Sequence, residues 1–259
     1  MARPHDKEPS PKPLAQESPD ASVLSFAPPE TLAKLVSRGN LNDGEICLLL
    51  DRKDLPGAVL GEIVRNRALL RSYRVKRALA FHPHVPRTLA LRLIRDLYTA
   101  DLLRLSLAPA AVVDLRRIAE DQLLARAGQL ALGEKIALAK QASGRVIAAL
   151  IAEGNRRVIG PALQNPRLTE AQVLKLLAME KLPAAVVSAI AMHPRWQPLP
   201  NARLALIRHP ATPPELAVKL LALAPASHLK TLHGLKTLSA GVKQAIEREL
   251  AHRERGSKL

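Results

Sequence analysis

Aromatic side chains are nearly absent. Phe26, Tyr73, Phe81, Tyr98 and Trp196 are the whole set, 2% of 259 residues. A core this poor in rings has to be built from Leu, Ala, Val and Ile, and a 47% hydrophobic content supplies them. The same shortage argues against a single-strand nucleic-acid binder, which needs rings on which bases stack. A lone cysteine, Cys47, excludes a disulfide framework, a cysteine-based zinc site and an iron–sulfur cluster within the chain. No run reaches the ~18 apolar residues of a membrane span. Acidic residues are scarce as well: 39 basic against 23 acidic gives a net charge of +16.

Motifs of known chemistry are missing too. There is no glycine-rich phosphate loop, no Gly-x-Ser-x-Gly elbow, no His-Glu-x-x-His helix and no pair of facing carboxylates. Glu120 and Asp121 are neighbours on a helix, so they point apart and read as surface charges. Neither an enzyme nor a cofactor is expected.

Residues 1–30 hold seven of the 21 prolines, no apolar run and a net charge of −2. They read as a disordered tail without a secretory signal, which makes a reducing, cytoplasmic setting the default. Residues 31–259 then carry +18. Ser257-Lys258-Leu259 spells the peroxisomal address. The Ala-, Arg- and Pro-rich, Lys-poor usage looks bacterial, and in such a host the address has no reader.

What is present is a helical period. Apolar residues recur at three and four, as in Val59, Leu60, Ile63 and Val64, and no sustained period of two occurs. The pattern predicts helices near 31–38, 43–51, 56–67, 72–81, 86–96, 99–107, 110–127, 131–141, 144–153, 156–164, 169–178, 183–192, 201–208, 213–223, 226–233 and 238–253. Thr169 with Gln172, and Thr212 with Glu215, have capping-box spacing. His82-Pro83, Asn165-Pro166, His193-Pro194 and His209-Pro210 each end an apolar run, because proline disfavours the helical conformation in the residue before it.

An offset of 127 residues aligns 78–123 with 205–250 without a gap, keeping His82/His209, Pro83/Pro210 and Pro86/Pro213. Each unit is an apolar helix, a His/Asn-Pro stop, a short turn and a second apolar helix. Such units hide their apolar faces only by stacking on the next copy. Ala-Leu-Ile-Arg-His-Pro-Ala-Thr-Pro-Pro-Glu-Leu-Ala over 205–217 resembles the leucine-rich repeat variant, a HEAT-like helical repeat of bacterial type. Residues 78–91 and 162–174 resemble it more loosely. The resemblance implies an all-α, HEAT-like α-solenoid over 31–255, irregular because the proline intervals vary; it specifies the architecture and not the function. HEAT-like DNA glycosylases use aromatic and acidic cleft residues that do not map onto this sequence.

The densest charge feature is Arg65, Arg67, Arg71, Arg74, Lys76 and Arg77, followed by Arg87, Arg92 and Arg95, with no acid over 63–95. If 65–77 is one helix, Arg67, Arg71, Arg74 and Arg77 share a stripe suited to phosphate or carboxylate. The alternative is a solvated outer face. Histidines His82 and His84, and His228 and His233, lack the further ligands a zinc site needs, and helix-end capping accounts for the pre-proline ones. Cys47 reads as a buried, inert thiol. Trp196 reads equally as a packing anchor or, if exposed, as a binding hot spot. The expected function is a non-catalytic scaffold for an acidic or phosphorylated protein. Nucleic-acid binding through the phosphate backbone is the alternative, and a membrane partner is not expected.

Overall fold

The computed structural model describes residues 21–39, 41–225, 229, 232, 238 and 240–256. These residues form sixteen α-helices and one 3-10 turn, with no strand. The helices fall into two compact units divided after Leu97.

The first unit contains α1 (Ala21–Phe26), α2 (Pro29–Ser37), α3 (Asp43–Leu50), α4 (Gly57–Arg65), a 3-10 turn (Leu69–Arg71), α5 (Tyr73–Phe81) and α6 (Arg87–Asp96). Alternate helices touch: α1 packs on α3, α3 on α5 and α2 on α4. Each is too short to stand alone in water, so its stability comes from the apolar stripe it buries. On α4 that stripe is Val59, Leu60 and Ile63.

The second unit contains α7 (Thr99–Leu107), α8 (Val113–Ala127), α9 (Leu132–Gln141), α10 (Gly144–Ala152), α11 (Arg156–Gln164), α12 (Glu170–Leu177), α13 (Ala184–Met192), α14 (Pro200–Arg208), α15 (Pro214–Ala222) and α16 (Ala240–Gly256). Here α8, α10, α12 and α14 make one contiguous row, and α9, α11 and α13 another.

The two units repeat each other further than identity suggests. Helices α2, α3, α4 and α5 recur as α11, α12, α13 and α14 at an offset of 127 residues, with identical lengths. Buried positions follow the same offset: Leu32/Ile159, Ile46/Val173, Leu55/Leu182, Ile63/Ile190, Leu69/Trp196 and Leu79/Leu206. The capping boxes correspond as well, Asn42 with Glu45 in one copy and Thr169 with Gln172 in the other.

Three expectations need correction. The tail over 1–30 ends early. Residues 1–20 lie outside the described residues, but α1 occupies 21–26 and Leu24 is fully buried. Pro28 and Pro29 are not tail residues either; they take the N-cap and first-turn places of α2, where a missing donor costs nothing. Thr212 does not cap α15. The helix starts one residue later, on Pro214 with Pro213 as its N-cap, and the Thr212 hydroxyl donates instead to the Leu206 carbonyl. The expected helix at 226–233 and the Ser-Lys-Leu terminus lie outside the described residues, except that Leu229 and Leu232 are buried.

Candidate functional site

The pre-proline residues bond to helices earlier in the chain. His82 ends α5 with extended backbone and is 2% exposed. Its Nδ1 accepts from the His84 backbone N–H at 3.2 Å, so Nε2 carries the hydrogen and donates to the Arg52 carbonyl at 2.8 Å. His209 does the same 127 residues on: Nδ1 accepts from Ala211 N–H at 3.1 Å and Nε2 meets the Met179 carbonyl at 3.0 Å. Asn165 substitutes an amide, accepting from Arg167 N–H and donating to the Ala139 carbonyl. The carbonyl served belongs to an earlier helix's end, just beyond it for Arg52 and Met179 and in its last turn for Ala139, and not to the residue's own helix as expected. Burial pushes the His82 imidazole below its usual pKa, and burial, then the nearby Arg195, does so for His193.

Arginines do similar work. Arg52 donates to the Leu24 and Ala27 carbonyls, Arg167 to Gln141, Arg195 to Asn165 and Leu168, and Arg253 to Leu221, Ala222 and Ala224. In each case a guanidinium donates to carbonyls in or just beyond the end of an earlier helix, and Arg195 and Arg253 do so with both terminal nitrogens. Part of the positive charge is therefore structural.

Trp196 is 1% exposed, which removes the exposure a hot spot requires. Its Nε1 donates to the Leu163 carbonyl at 3.0 Å, and the Arg195 guanidinium lies 4.1 Å from the ring. It is a packing anchor between α11 and the Pro-rich turn before α14.

The arginine run does not form a helical stripe. Helix α4 ends at Arg65, where the Asn66 side chain accepts from Ala68 N–H and turns the chain. Leu69 then anchors the 3-10 turn and Ser72 is extended. The six basic residues therefore scatter. Arg65 pairs with Glu62, and Lys76 with Asp96 at 2.6 Å. Arg67 and Arg71 are exposed on the connection. Only Arg74 and Arg77, three apart on α5, stay together.

Those two face α3 across a recess of about 320 Å³ that Lys53, which was not among the expected site residues, also lines. Asp51 is its single acid, and Cys47, Ala78 and Phe81 are its less polar walls. Cys47 is half-buried, not buried as expected. Burial raises its pKa, against the lowering influence of Arg74. Lys53 is separated from Arg74 by 21 positions, so only the packing of α3 on α5 could have joined them.

The same groove exists between α12 and α14, about 750 Å³ in volume. Six of its nine lining residues sit at positions equivalent to lining residues of the α3–α5 recess, mostly with different chemistry, and the counterparts of Arg74 and Arg77, Asn201 and Leu204, are not among them. Cys47 becomes Leu174, Lys53 becomes Glu180, Phe81 becomes Arg208, and Leu50 and Ala78 stay Leu177 and Ala205.

Glu120 and Asp121 are drawn together rather than left apart: Arg145 spans them, at 3.6 Å and 2.6 Å. Among the described residues no group of three or more His, Cys, Asp or Glu could hold a metal ion, and no helix is long and apolar enough to cross a membrane. No family model, curated protein or solved structure matches the chain.

Proposed function

We propose that the chain is a non-catalytic helical-repeat scaffold, an irregular HEAT-like α-solenoid of the leucine-rich repeat variant kind. Its partner is an acidic or phosphorylated protein, and Lys53, Arg74 and Arg77 in the α3–α5 recess receive that partner's anionic groups. One observation carries the reading: the α3–α5 and α12–α14 grooves keep the same helix frame at an offset of 127 residues while their linings diverge. A frame held constant under variable linings suits surface presentation and does not suit a fixed reaction centre. Guanidinium pairs favour planar carboxylate or phosphate oxygens by forked hydrogen bonds.

Affinity purification from the native host, with and without nuclease, tests it. The expected result is a nuclease-resistant protein partner that is lost in a Lys53→Glu, Arg74→Glu, Arg77→Glu variant. A partner retained by that variant overturns the role given to the recess.

A net charge of +16 favours a second reading, contact with a nucleic-acid backbone. Its signature is recovery only in the untreated arm, with affinity falling steeply as salt rises.

A further inference from the structure

We propose that a second recess, between α7, α8 and α10, is a binding site for a phosphate monoester. It holds about 530 Å³ and is lined by Ser106, Val113, Arg116, Arg117, Glu120 and Arg145. The inference rests on the reading of the protein as a binder of acidic or phosphorylated partners, and it adds a site that the sequence did not flag.

Three guanidinium groups meet there with one carboxylate, Glu120, which is 17% exposed. That carboxylate is already engaged, since Arg145 bridges Glu120 and Asp121. The side chains of Arg116 and Arg117 are left with no hydrogen bond or ion pair among the described residues.

Arg116 is the informative residue. Its Nε is buried and has no acceptor. A buried charged donor without a partner costs free energy, and native structures seldom leave one without a reason. Arg203 also buries an Nε without an acceptor, but its terminal nitrogens bond the Leu223 and Pro198 carbonyls. The half-buried Arg116 has no such protein acceptor for its terminal nitrogens. A small rotation of its side chain presents Nε–H and a terminal N–H to the same oxygens, the forked geometry that a tetrahedral oxyanion accepts. Arg117, one residue on and exposed, closes the site from the solvent side. Residues 116 and 117 precede Glu120 by four and three positions, so one helix face brings all three together. The volume admits a phosphoryl group with its attached side chain.

The test uses the full chain, with inorganic phosphate and a phosphoserine peptide as probes. Thermal unfolding is followed as phosphate replaces chloride at constant ionic strength, and peptide affinity is measured with and without the phosphoryl group. Phosphate is expected to raise Tm above the chloride control. Arg116→Gln with Arg117→Gln is expected to remove that rise and weaken the phosphopeptide about tenfold or more, as loss of a charge-assisted bond requires. Arg117→Gln alone, at an exposed position, reads the effect even where the double variant fails to fold. Affinity for the phosphopeptide above that for inorganic phosphate assigns the group to a protein partner. Equal affinity assigns the site to free phosphate.

A Tm rise unchanged by these variants overturns the proposal, as does no rise at all. A rise lost instead in Arg74→Gln with Arg77→Gln also overturns it, and leaves the α3–α5 recess standing as the anion site. Weakened duplex DNA binding in Arg117→Gln, with no phosphate response, assigns the arginines to nucleic acid and likewise rejects the site.

Discussion

The imidazole of His209 reaches back thirty residues to the Met179 carbonyl, closing 3.0 Å between its Nε2 and that oxygen. His82 and Arg52 hold the same relationship in the other copy. Each histidine ends its own helix and satisfies a carbonyl beyond the end of an earlier one. His82→Ala or His209→Ala is expected to cost about 1–3 kcal/mol, because a part-buried carbonyl loses its donor and a buried ring is removed. His82→Asn should restore part of the loss, since Asn165 performs the same task with an amide. Urea denaturation measures all three.

Acid should loosen the fold through the same residue. Burial holds the folded His82 pKa below its unfolded value of about 6.5, so the native state prefers the neutral ring. The unfolded state then binds more protons across the interval between the two values, and stability rises with pH there. The His82 contribution is complete above about pH 6.5 and falls away as pH drops through that interval. His82→Asn should flatten the profile below pH 6.5, as read by Tm at successive pH values.

Trp196 is the one tryptophan and is buried. Its emission should lie at short wavelength in the native protein and shift to the red on unfolding. Trp196→Phe keeps a ring but leaves the Leu163 carbonyl without its donor, for an expected loss of about 1–3 kcal/mol. Binding to a partner should not change in folded protein, because the side chain reaches no surface.

Gly144 opens α10 where that helix meets the turn before α12. A Cβ there would sit 2.6 Å from the Arg167 carbonyl oxygen and against the Gln172 side chain. Gln172 could swing away only by breaking its capping bond to Thr169, and the Arg167 backbone cannot move cheaply. Gly144→Ala is expected to destabilise by about 1–3 kcal/mol despite the better helix propensity of Ala. Gly160→Ala, which meets open space, is the control.

Cys47 should react with a disulfide reagent, since it is half-exposed, but more slowly than a free thiol at pH 7.5, because burial raises its pKa. Arg74→Gln removes a charge that favours the thiolate and should slow the reaction further. A rate equal to that of free glutathione would contradict the groove geometry.

Much of the helical frame was legible because its signals are local. The apolar period and the His/Asn-Pro stops placed α7 at 99–107 and α11 at 156–164, where the structure has them. Signals that depend on a distant partner were not legible. α1 looked like tail because only Leu24, once docked on its neighbours, reveals it as helix. The arginine stripe failed on Asn66, whose side chain bonds its own turn instead of letting α4 continue. The duplication was visible at its His-Pro landmarks but hidden from 29 to 77, where Leu69/Trp196 and Val75/Ala202 share burial and not identity. The convergence of Lys53 on Arg74, and of Arg145 on Arg116, exists only in three dimensions.

Sister segments cut to one length create a hazard during refolding. A helix of the first set, released from denaturant beside the second, meets two berths of nearly equal fit. Mismatched docking is then a kinetic trap, opposed mainly by the few positions whose bulk differs, such as a leucine where the other copy carries tryptophan. Synthesis on a ribosome avoids the trap, because the earlier helices have chosen their neighbours before the later ones emerge.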